Sequence, residues 1–551
     1  LMRALGCTSD KDVIQTCLLD LEKHEEFIDL FVPSVYDAGG IFTQENAIKF
    51  ISTFLKHKTI HHTYEILMNY LLPQIGELNF KNKALFLGHM CFSLLKVYKK
   101  IEKPTDRDSF AFKRVELPGS LIYDLFKEYF ILEQKKIFLT IDKDINYHYK
   151  NKINLGTEAI ITIFNDNLNK YFGARLLEKG FKRAFKGNWG ATSHTKRVGV
   201  LQDLNRLSYY SFISHLRKVN LPLDESAKVV GPRLLHSSQW GIIDPVDTPD
   251  GANCGLHKHM TLMSKVSTGY SKDKLLKWLN NHLELILLEE SSPIELFNLT
   301  KVFINGAWVG SFDNLIEKVN ISRQCRRLGL IPFSTSISFS IKDNSIFYST
   351  DSGRLFRPLY YLDNYSPSFK TTHNIDKISW KQLYTGVQDK INVDDNNFYK
   401  HDFVYSADNE FIDTYKKNKS IIEYIDTLES ESLLISTNVS QLSSKHSYSH
   451  LEIHPSLLFG VMGNLVIFPE HNQLPRNLFS CGQSKQATSL YHTNFNNRVD
   501  KSGIVLNYGQ CPLVKSKYLK YFNNEENPYG VNTIVAIMSH GGYNVEDAIL
   551  V

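Results

Sequence analysis

The sequence predicts a multidomain α+β protein, and three observations lead there. At 551 residues the chain is longer than one hydrophobic core organises, and at roughly 100 to 200 residues per domain it divides into three to five units. Its 42% apolar, 12% aromatic and 22% charged residues match an ordinary folded protein, which excludes a disordered tail or a fibrous repeat. The hydrophobic period also changes, from three-to-four spacing in the first third to strand and hairpin signals beyond residue 300.

The helical part comes first. Residues 18–31, 43–57 and 84–100 carry apolar stripes separated by polar breaks, which suits a helical docking module. After Pro104, the polar turn 105–109 leads into expected helices at 121–133 and 155–183. A break follows at Gly187-Asn-Trp-Gly190, then a drifting helical stripe at 199–219 (201, 204, 207, 210, 213, 216) that leaves Arg206, Arg217 and Lys218 for an outer face. Farther on, Asn305-Gly306 between apolar runs reads as a two-residue hairpin in a small mixed domain. Asp351-Ser-Gly-Arg-Leu-Phe-Arg-Pro358 reads as a turn and strand, 389–408 as a polar acidic stretch, and 436–449 as a Ser-rich linker. Apolar density in 457–468 and 533–538 predicts a last, β-rich domain. Leu1 and the apolar run 548–551 lack the composition of natural termini, so a segment of a longer polypeptide is expected.

Net charge is only +5, but between Arg175 and Arg233 twelve Lys/Arg face four acids. That segment carries +8 and leaves −3 for the rest, so its partner is an anion unless its cations line a solvated helix face. No run reaches the roughly 18 apolar residues of a membrane span; the best, 457–468, is short and contains Asn464 and two glycines. No membrane partner is expected. Residues 1–10 lack the shape of a signal peptide, and the seven cysteines are scattered without a CxxC, as reduced intracellular thiols are. The sequons at Asn298 and Asn438 then carry no meaning.

The phosphate-loop, dinucleotide, zincin and hydrolase signatures are all missing. Cys254, His257 and His259 offer three soft ligands without the fourth that zinc needs. Asp244, Asp247 and Asp250 recur every three residues, yet Pro245 and Pro249 prevent a helix, leaving a rigid loop or a metal cage as readings. Glu546 and Asp547 follow a glycine turn at the expected start of a strand. Adjacent carboxylates there are solvated surface, or they hold Mg²⁺ weakly when substrate phosphates complete its shell. Arg476, Lys485 and Gln486 cluster after the expected turn at Pro475, where the Arg and Lys could clamp phosphates.

Together and in order, these segments resemble a known family. The series runs through Gly187-Asn-Trp-Gly190, Gly199-Val-Leu-Gln202, Leu204-Asn-Arg206, Ser214-His-Leu-Arg217, Pro232-Arg-Leu-Leu-His236 and Trp240-Gly241. It continues with Pro245-Val-Asp-Thr-Pro-Asp-Gly251, Gly255-Leu256, Glu452-Ile-His-Pro455, Pro469-Glu-His-Asn-Gln473, Pro475-Arg-Asn477, Lys485-Gln486 and Gly542-Tyr-Asn-Val-Glu-Asp547. The set resembles the second-largest, beta-like subunit of multisubunit DNA-directed RNA polymerases of eukaryotic and archaeal type, from Arg3-Ala-Leu-Gly6 to the last residue.

By that resemblance, 1–100 corresponds to the lobe, 101–185 to the returning part of the protrusion and 186–270 to the fork. Residues 290–355 and 356–435 correspond to two external domains, and 445–551 to the truncated start of the hybrid-binding domain. The implied chemistry is nucleotidyl transfer with two Mg²⁺, the tight one held by the largest subunit, so that this chain alone is inactive. Arg476 then meets the incoming triphosphate, Lys485 and Gln486 line the active centre, and Glu546 and Asp547 lie near the exchangeable Mg²⁺. Lys196, Arg197, Arg206, Arg217, Lys228 and Arg233 become nucleic-acid contacts, with fork loops at about 191–196 and 224–231. Implied partners are the largest and smaller polymerase subunits, template DNA, the RNA–DNA hybrid and nucleoside triphosphates, read through backbone and shape. No zinc is expected in this segment.

The sequence also departs from the family pattern. Asp247 stands where many relatives carry Glu, and the first fork loop is short. Asn477-Leu-Phe-Ser-Cys-Gly-Gln483 and Gly509-Gln-Cys-Pro-Leu-Val-Lys515, with abundant Lys, Asn, Ile and Tyr, lean towards versions from nucleocytoplasmic large DNA viruses. The implied location is the nucleus for a cellular version, host cytoplasm or virion for a viral one. The alternative from another class is a free-standing nucleic-acid-binding or scaffold protein derived from the family.

Overall fold

The computed structural model describes residues 1–56, 58–150, 156–363, 365–371, 378–386, 418–442, 447–522 and 525–548. The acidic stretch 389–408 and the run 549–551 lie outside them. The mixed helix-and-sheet class is borne out, and the chain forms two compact units. The first comprises 1–114, 219–482 and 514–522; the second comprises 115–218, 483–513 and 523–551.

In the first unit the helices Asp10–Leu18, Gln44–Phe54 and Ile60–Asn69 start where the side chains of Ser9, Thr43 and Thr59 cap their first turns, and the helix Phe80–Tyr98 starts without a side-chain cap. The stripe expected at 18–31 shifts because Leu19 takes a left-handed φ of 64° and ends the first helix. Lys83 is fully buried and has its ammonium satisfied by the carbonyls of Leu67, Met68 and Glu77. Gly88 lets two helices meet, since a Cβ there would lie 2.5 Å from the Thr16 carbonyl oxygen.

A five-stranded sheet runs in the order Ile286–Leu287, Ala307–Phe312, Thr300–Ile304, Ser345–Ser349, Ser336–Ser340. Its expected hairpin is present, with Asn305 and Gly306 at φ 49° and 76° as a two-residue turn requires. Leu279, Val302, Ile304, Phe312, Val319 and Ile346 pack between this sheet and the helices Lys272–Leu283 and Leu315–Arg327. A second sheet is built on Leu355–Asp363, paired along one side with Ile422–Asp426. Along the other side Lys265–Val266 pairs with residues 355–356 and His450–Leu451 with 360–361. Pro358, which has no N–H to give, falls in the gap between those two partners.

This second sheet closes over a buried ionic network. Arg326 donates to both Glu429 oxygens (2.7 and 2.8 Å), to Glu423 (3.3 Å) and to the Thr335 carbonyl (2.7 Å). Arg327 and His450 also grip Glu423, at 2.9 Å each. Burial alone would raise Glu423, but Arg327, Arg326 and His450 together hold it well below the usual carboxylate range. Burial pushes His450 below its ordinary value, outweighing the pull of Glu423.

In the second unit the helix Pro118–Lys150 extends far past the expected 121–133, and Leu176–Ala184 packs on it around Leu125, Tyr129, Ala184 and Trp189. Gly180 is needed there because a Cβ would lie 2.5 Å from the Tyr129 ring. The helix expected at 155–183 is broken into Thr157–Asp166, Leu168–Phe172 and Leu176–Ala184, the last beginning after Arg175 at φ 45°. The stripe at 199–219 is helical only over Tyr209–Leu216, because Ser208 and Ser211 form a capping box that starts the helix there.

The strands expected in 457–468 and 533–538 are not formed. The first run folds into the short helices Pro455–Leu458 and Val461–Leu465, whose backbone turns around a buried carboxyl group. The second carries no regular structure and leaves Ile534 and Ile537 fully exposed. Residues 447–548 contain one strand among those described, the two-residue His450–Leu451.

Candidate functional site

Several motif residues have structural tasks within the first unit. Asp244 is buried and accepts hydrogen bonds from the amides of Val246 (3.0 Å), Gly460 (2.8 Å) and Gly463 (3.2 Å). A Cβ on Gly463 would lie 2.5 Å from the Asp244 carboxylate, so glycine lets the backbone come this close. Burial, with Asp247 nearby, pushes Asp244 up to about 7, although the three amides pull the other way. Of the two readings for the aspartate series, the rigid loop is the one seen. Asp247 faces His259 (3.3 Å), and Thr248 accepts from Gly255 and donates to the His257 carbonyl, both at 2.9 Å. His257 faces Asn220 at 2.8 Å.

Glu452 and Gly241 have structural tasks as well. Glu452 forms a buried pair with Arg357 (2.6 Å), and Gly241, at φ 71°, lies under that guanidinium, where a Cβ would come within 2.5 Å.

The helix Leu474–Gln486 carries Arg476, Lys485 and Gln486, where the sequence suggested a turn after Pro475. Its start matches the tolerance of a first helical turn for proline. Arg476 is exposed, with its guanidinium 5.8 Å from the Phe479 ring centroid. No carboxylate among the described residues pairs with it, and its side chain caps no carbonyl there. Gln486 is exposed and Lys485 half-buried.

Within the second unit, Ser208 donates to the Lys485 carbonyl at 2.6 Å, fixing the end of that helix beside the segment that carries Arg206. The Arg206 guanidinium sits 4.8 Å from the Phe212 ring centroid. Partial desolvation, then Arg206 and Arg498, hold His492 below its ordinary value, which marks these groups as neighbours. Arg498 pairs with Asp500 at 3.1 Å. Asn205 and Gln202 are tied to opposite nitrogens of His215, at 3.1 and 2.9 Å. The sequence reading missed Ser208, His492 and Arg498; only the Ser208/Ser211 capping pattern could have flagged the first.

The six basic candidates separate. Lys196, Arg197, Arg206 and Arg217 belong to the second unit, and Lys228 and Arg233 to the first. Lys196 and Lys228 are exposed and have no carboxylate partner among the described residues. Arg197 pairs with Glu116 at 2.6 Å, both half in solvent. Arg217 is held below its ordinary value by burial. Arg233 is bound up in the fold: it donates to the carbonyls of Ala252 (2.5 Å), Cys254 (3.0 Å), Glu225 (3.1 Å) and Ala227 (3.2 Å). The loop 191–196 is also anchored, since Thr192 donates to Glu128 at 3.1 Å and Gly190, at φ 97°, leaves no room for a Cβ against the Thr195 carbonyl.

Glu546 and Asp547 are exposed neighbours on a short turn, both left-handed (φ 57° and 61°), in place of the expected strand start. Two carboxylates are a partial, oxygen-only donor set. That suits a Mg²⁺ that takes its remaining ligands from water and phosphate, and not a metal caged by protein. No cluster of three or more metal-ligating side chains occurs among the described residues, and no described helix is long and apolar enough to cross a membrane.

Four family models match the chain in succession: RNA polymerase Rpb2 domain 2 over 1–116, domain 3 over 202–266, domain 4 over 302–363 and domain 6 over 462–551. The whole chain aligns with the DNA-directed RNA polymerase II subunit RPB2 of Schizosaccharomyces pombe at 30% identity and of Encephalitozoon cuniculi at 34%. It aligns with the DNA-directed RNA polymerase subunit Rpo2 of Sulfolobus acidocaldarius at 29%. In each case it spans 46% of the relative's length, so it is about half as long as these relatives. The resemblance to eukaryotic and archaeal second-largest subunits is thereby borne out.

Proposed function

We propose that the chain is the central part of the second-largest subunit of a multisubunit DNA-directed RNA polymerase, a piece of the catalytic core that is inactive alone. The observation that carries this reading is the ordered run of Rpb2 domains 2, 3, 4 and 6 along one chain. Its partners are then the largest and smaller polymerase subunits, and its cleft face meets template DNA, the RNA–DNA hybrid and the incoming nucleoside triphosphate.

The residue roles follow from chemistry. Arg476, exposed and without an acidic partner among the described residues, offers a planar five-donor group to the triphosphate and aligns its α-phosphate for attack by the RNA 3′ oxygen. Lys485, its carbonyl held by Ser208, and Gln486 line the hybrid next to it. Glu546 and Asp547 would hold an exchangeable Mg²⁺, which when bound neutralises the leaving pyrophosphate. Lys196, Arg197, Lys228, Arg206 and Arg217 neutralise nucleic-acid phosphates, whereas Arg233 braces the loop 224–231 through the carbonyls of Glu225 and Ala227. The segments 477–483 and 509–515 favour a large-DNA-virus version, acting in host cytoplasm or virion; a cellular version acts in the nucleus.

The test is Arg476→Ala in the assembled polymerase. Losing a charge-assisted contact of about 1.5 to 3 kcal/mol lowers kcat/KM for nucleotide roughly 10- to 150-fold with assembly unchanged. Glu546→Ala and Asp547→Ala instead raise the Mg²⁺ concentration needed for half-maximal rate. Wild-type kcat/KM in a normally assembled Arg476→Ala enzyme would refute the substrate role.

A further inference from the structure

A cavity of about 250 Å³ lies within the first unit, and none of the candidate site residues lines it. It is bounded by the helix Phe80–Tyr98, the end of Asp10–Leu18, the strand Thr300–Ile304 and the turn at 342–344. Its charge is unbalanced. Lys96, Lys301 and Lys342 line it with Asp343 as the lone carboxylate, and that carboxylate lies 3.6 Å from Lys96, which Glu102 already engages at 2.9 Å. Lys301 has no carboxylate of a described residue within ion-pair distance.

The protein bears a cost for this arrangement. Burial, and then Lys96, hold Lys301 below its ordinary value; burial, then Lys301 and Lys96, push His89 down to about 4. Structural lysines at a fold's interior are ordinarily satisfied by carbonyls or acids, as Lys83 is in the same unit. Here the cations line a space whose other walls combine the rings of Phe92, Phe297 and Trp308 with the chain at 16–19, so that an apolar, ring-bearing wall faces the charge and suits a planar body with a charged end.

We propose that this cavity is a binding site for a small aromatic oxyanion, its phosphate or carboxylate group taken by Lys301 and Lys342 and its ring packed against Phe92 and Trp308. Phosphate and carboxylate share the recognition chemistry, so the probes must separate them.

The experiment is calorimetric titration of the full chain with phenyl phosphate, benzoate, inorganic phosphate and phenol, repeated on Lys301→Gln and Lys342→Gln. One of the two aromatic oxyanions binds saturably with a dissociation constant below about 1 mM, and inorganic phosphate and phenol bind about tenfold more weakly or not at all. Lys301→Gln weakens that binding about tenfold or more. Lys342 is exposed, so Lys342→Gln tests the same charge without disturbing the fold, and it too weakens binding. Absence of saturable binding by either aromatic oxyanion up to about 10 mM would overturn the site. So would affinities unchanged in Lys342→Gln, or a phenol affinity equal to that of phenyl phosphate.

Discussion

Arg326→Met removes the centre of the buried ionic network, and its cost follows from what it strands. Arg326 is 2% exposed and Glu429 0%, so the substitution leaves a carboxylate with no water to turn to. Among the described residues Glu429 keeps only the Ile337 amide at 3.2 Å and Arg323 at 3.5 Å. Breaking such a pair from one side costs about 3 to 5 kcal/mol. Removing both partners strands far less charge, so Arg326→Met with Glu429→Met should be milder than the sum of the singles by about 2 kcal/mol or more. Because the chain forms two compact units, one global melting curve would blend them; amide hydrogen exchange in Ile422–Asp426 reports opening of this sheet directly. Arg326→Met should speed that exchange by about two to three and a half orders of magnitude. Exchange within threefold of wild type, or single effects that simply add in the double variant, would refute the reasoning.

Further predictions concern pH, packing and nucleic acid. Glu423 titrates below its ordinary 4.5 and His450 below 6.5 in the folded state, so the unfolded chain binds more protons as pH falls. Their stabilisation is complete above about pH 6.5 and is lost on acidification, first through His450 and then, below 4.5, through Glu423. In Glu423→Gln, exchange in the second sheet should be faster at neutral pH and less sensitive to acid, which a pH series of the same measurement checks. Gly255→Ala places a Cβ 2.1 Å from the Arg233 carbonyl at φ 74°, so it should destabilise by more than the roughly 1 to 3 kcal/mol of ordinary overpacking, read from urea unfolding. A triple alanine variant at Lys196, Arg197 and Arg217 should flatten the salt dependence of duplex binding by roughly 0.9 per lost phosphate contact. Equal slopes would place those cations on solvent or a protein partner.

The sequence disclosed what depends on short-range chemistry. The Asn305-Gly306 hairpin, the helices at 43–57 and 84–100 and the order of the motifs all carry their cause in neighbouring residues. Positions decided by distant partners were hidden. The 457–468 run looked like a strand because its apolar density gives no sign that Asp244, more than 200 residues earlier, would gather the amides of Gly460 and Gly463. Arg233 counted as one more cation because nothing near it announces four carbonyl acceptors. The tie between Ser208 and Lys485 was invisible for the same reason, although it positions a residue that the motifs had already singled out.

The central claim is tested most directly by tagging the full-length protein that contains this chain, purifying it under native conditions from its source and assaying RNA synthesis on a DNA template. The account predicts that a largest polymerase subunit co-purifies in equal amount, and that template-dependent RNA is made with Mg²⁺ and nucleoside triphosphates. It also predicts that the product falls with the Arg476→Ala substitution. A protein that purifies free of a largest subunit and binds nucleic acid without making RNA would contradict it, and would favour the free-standing scaffold instead.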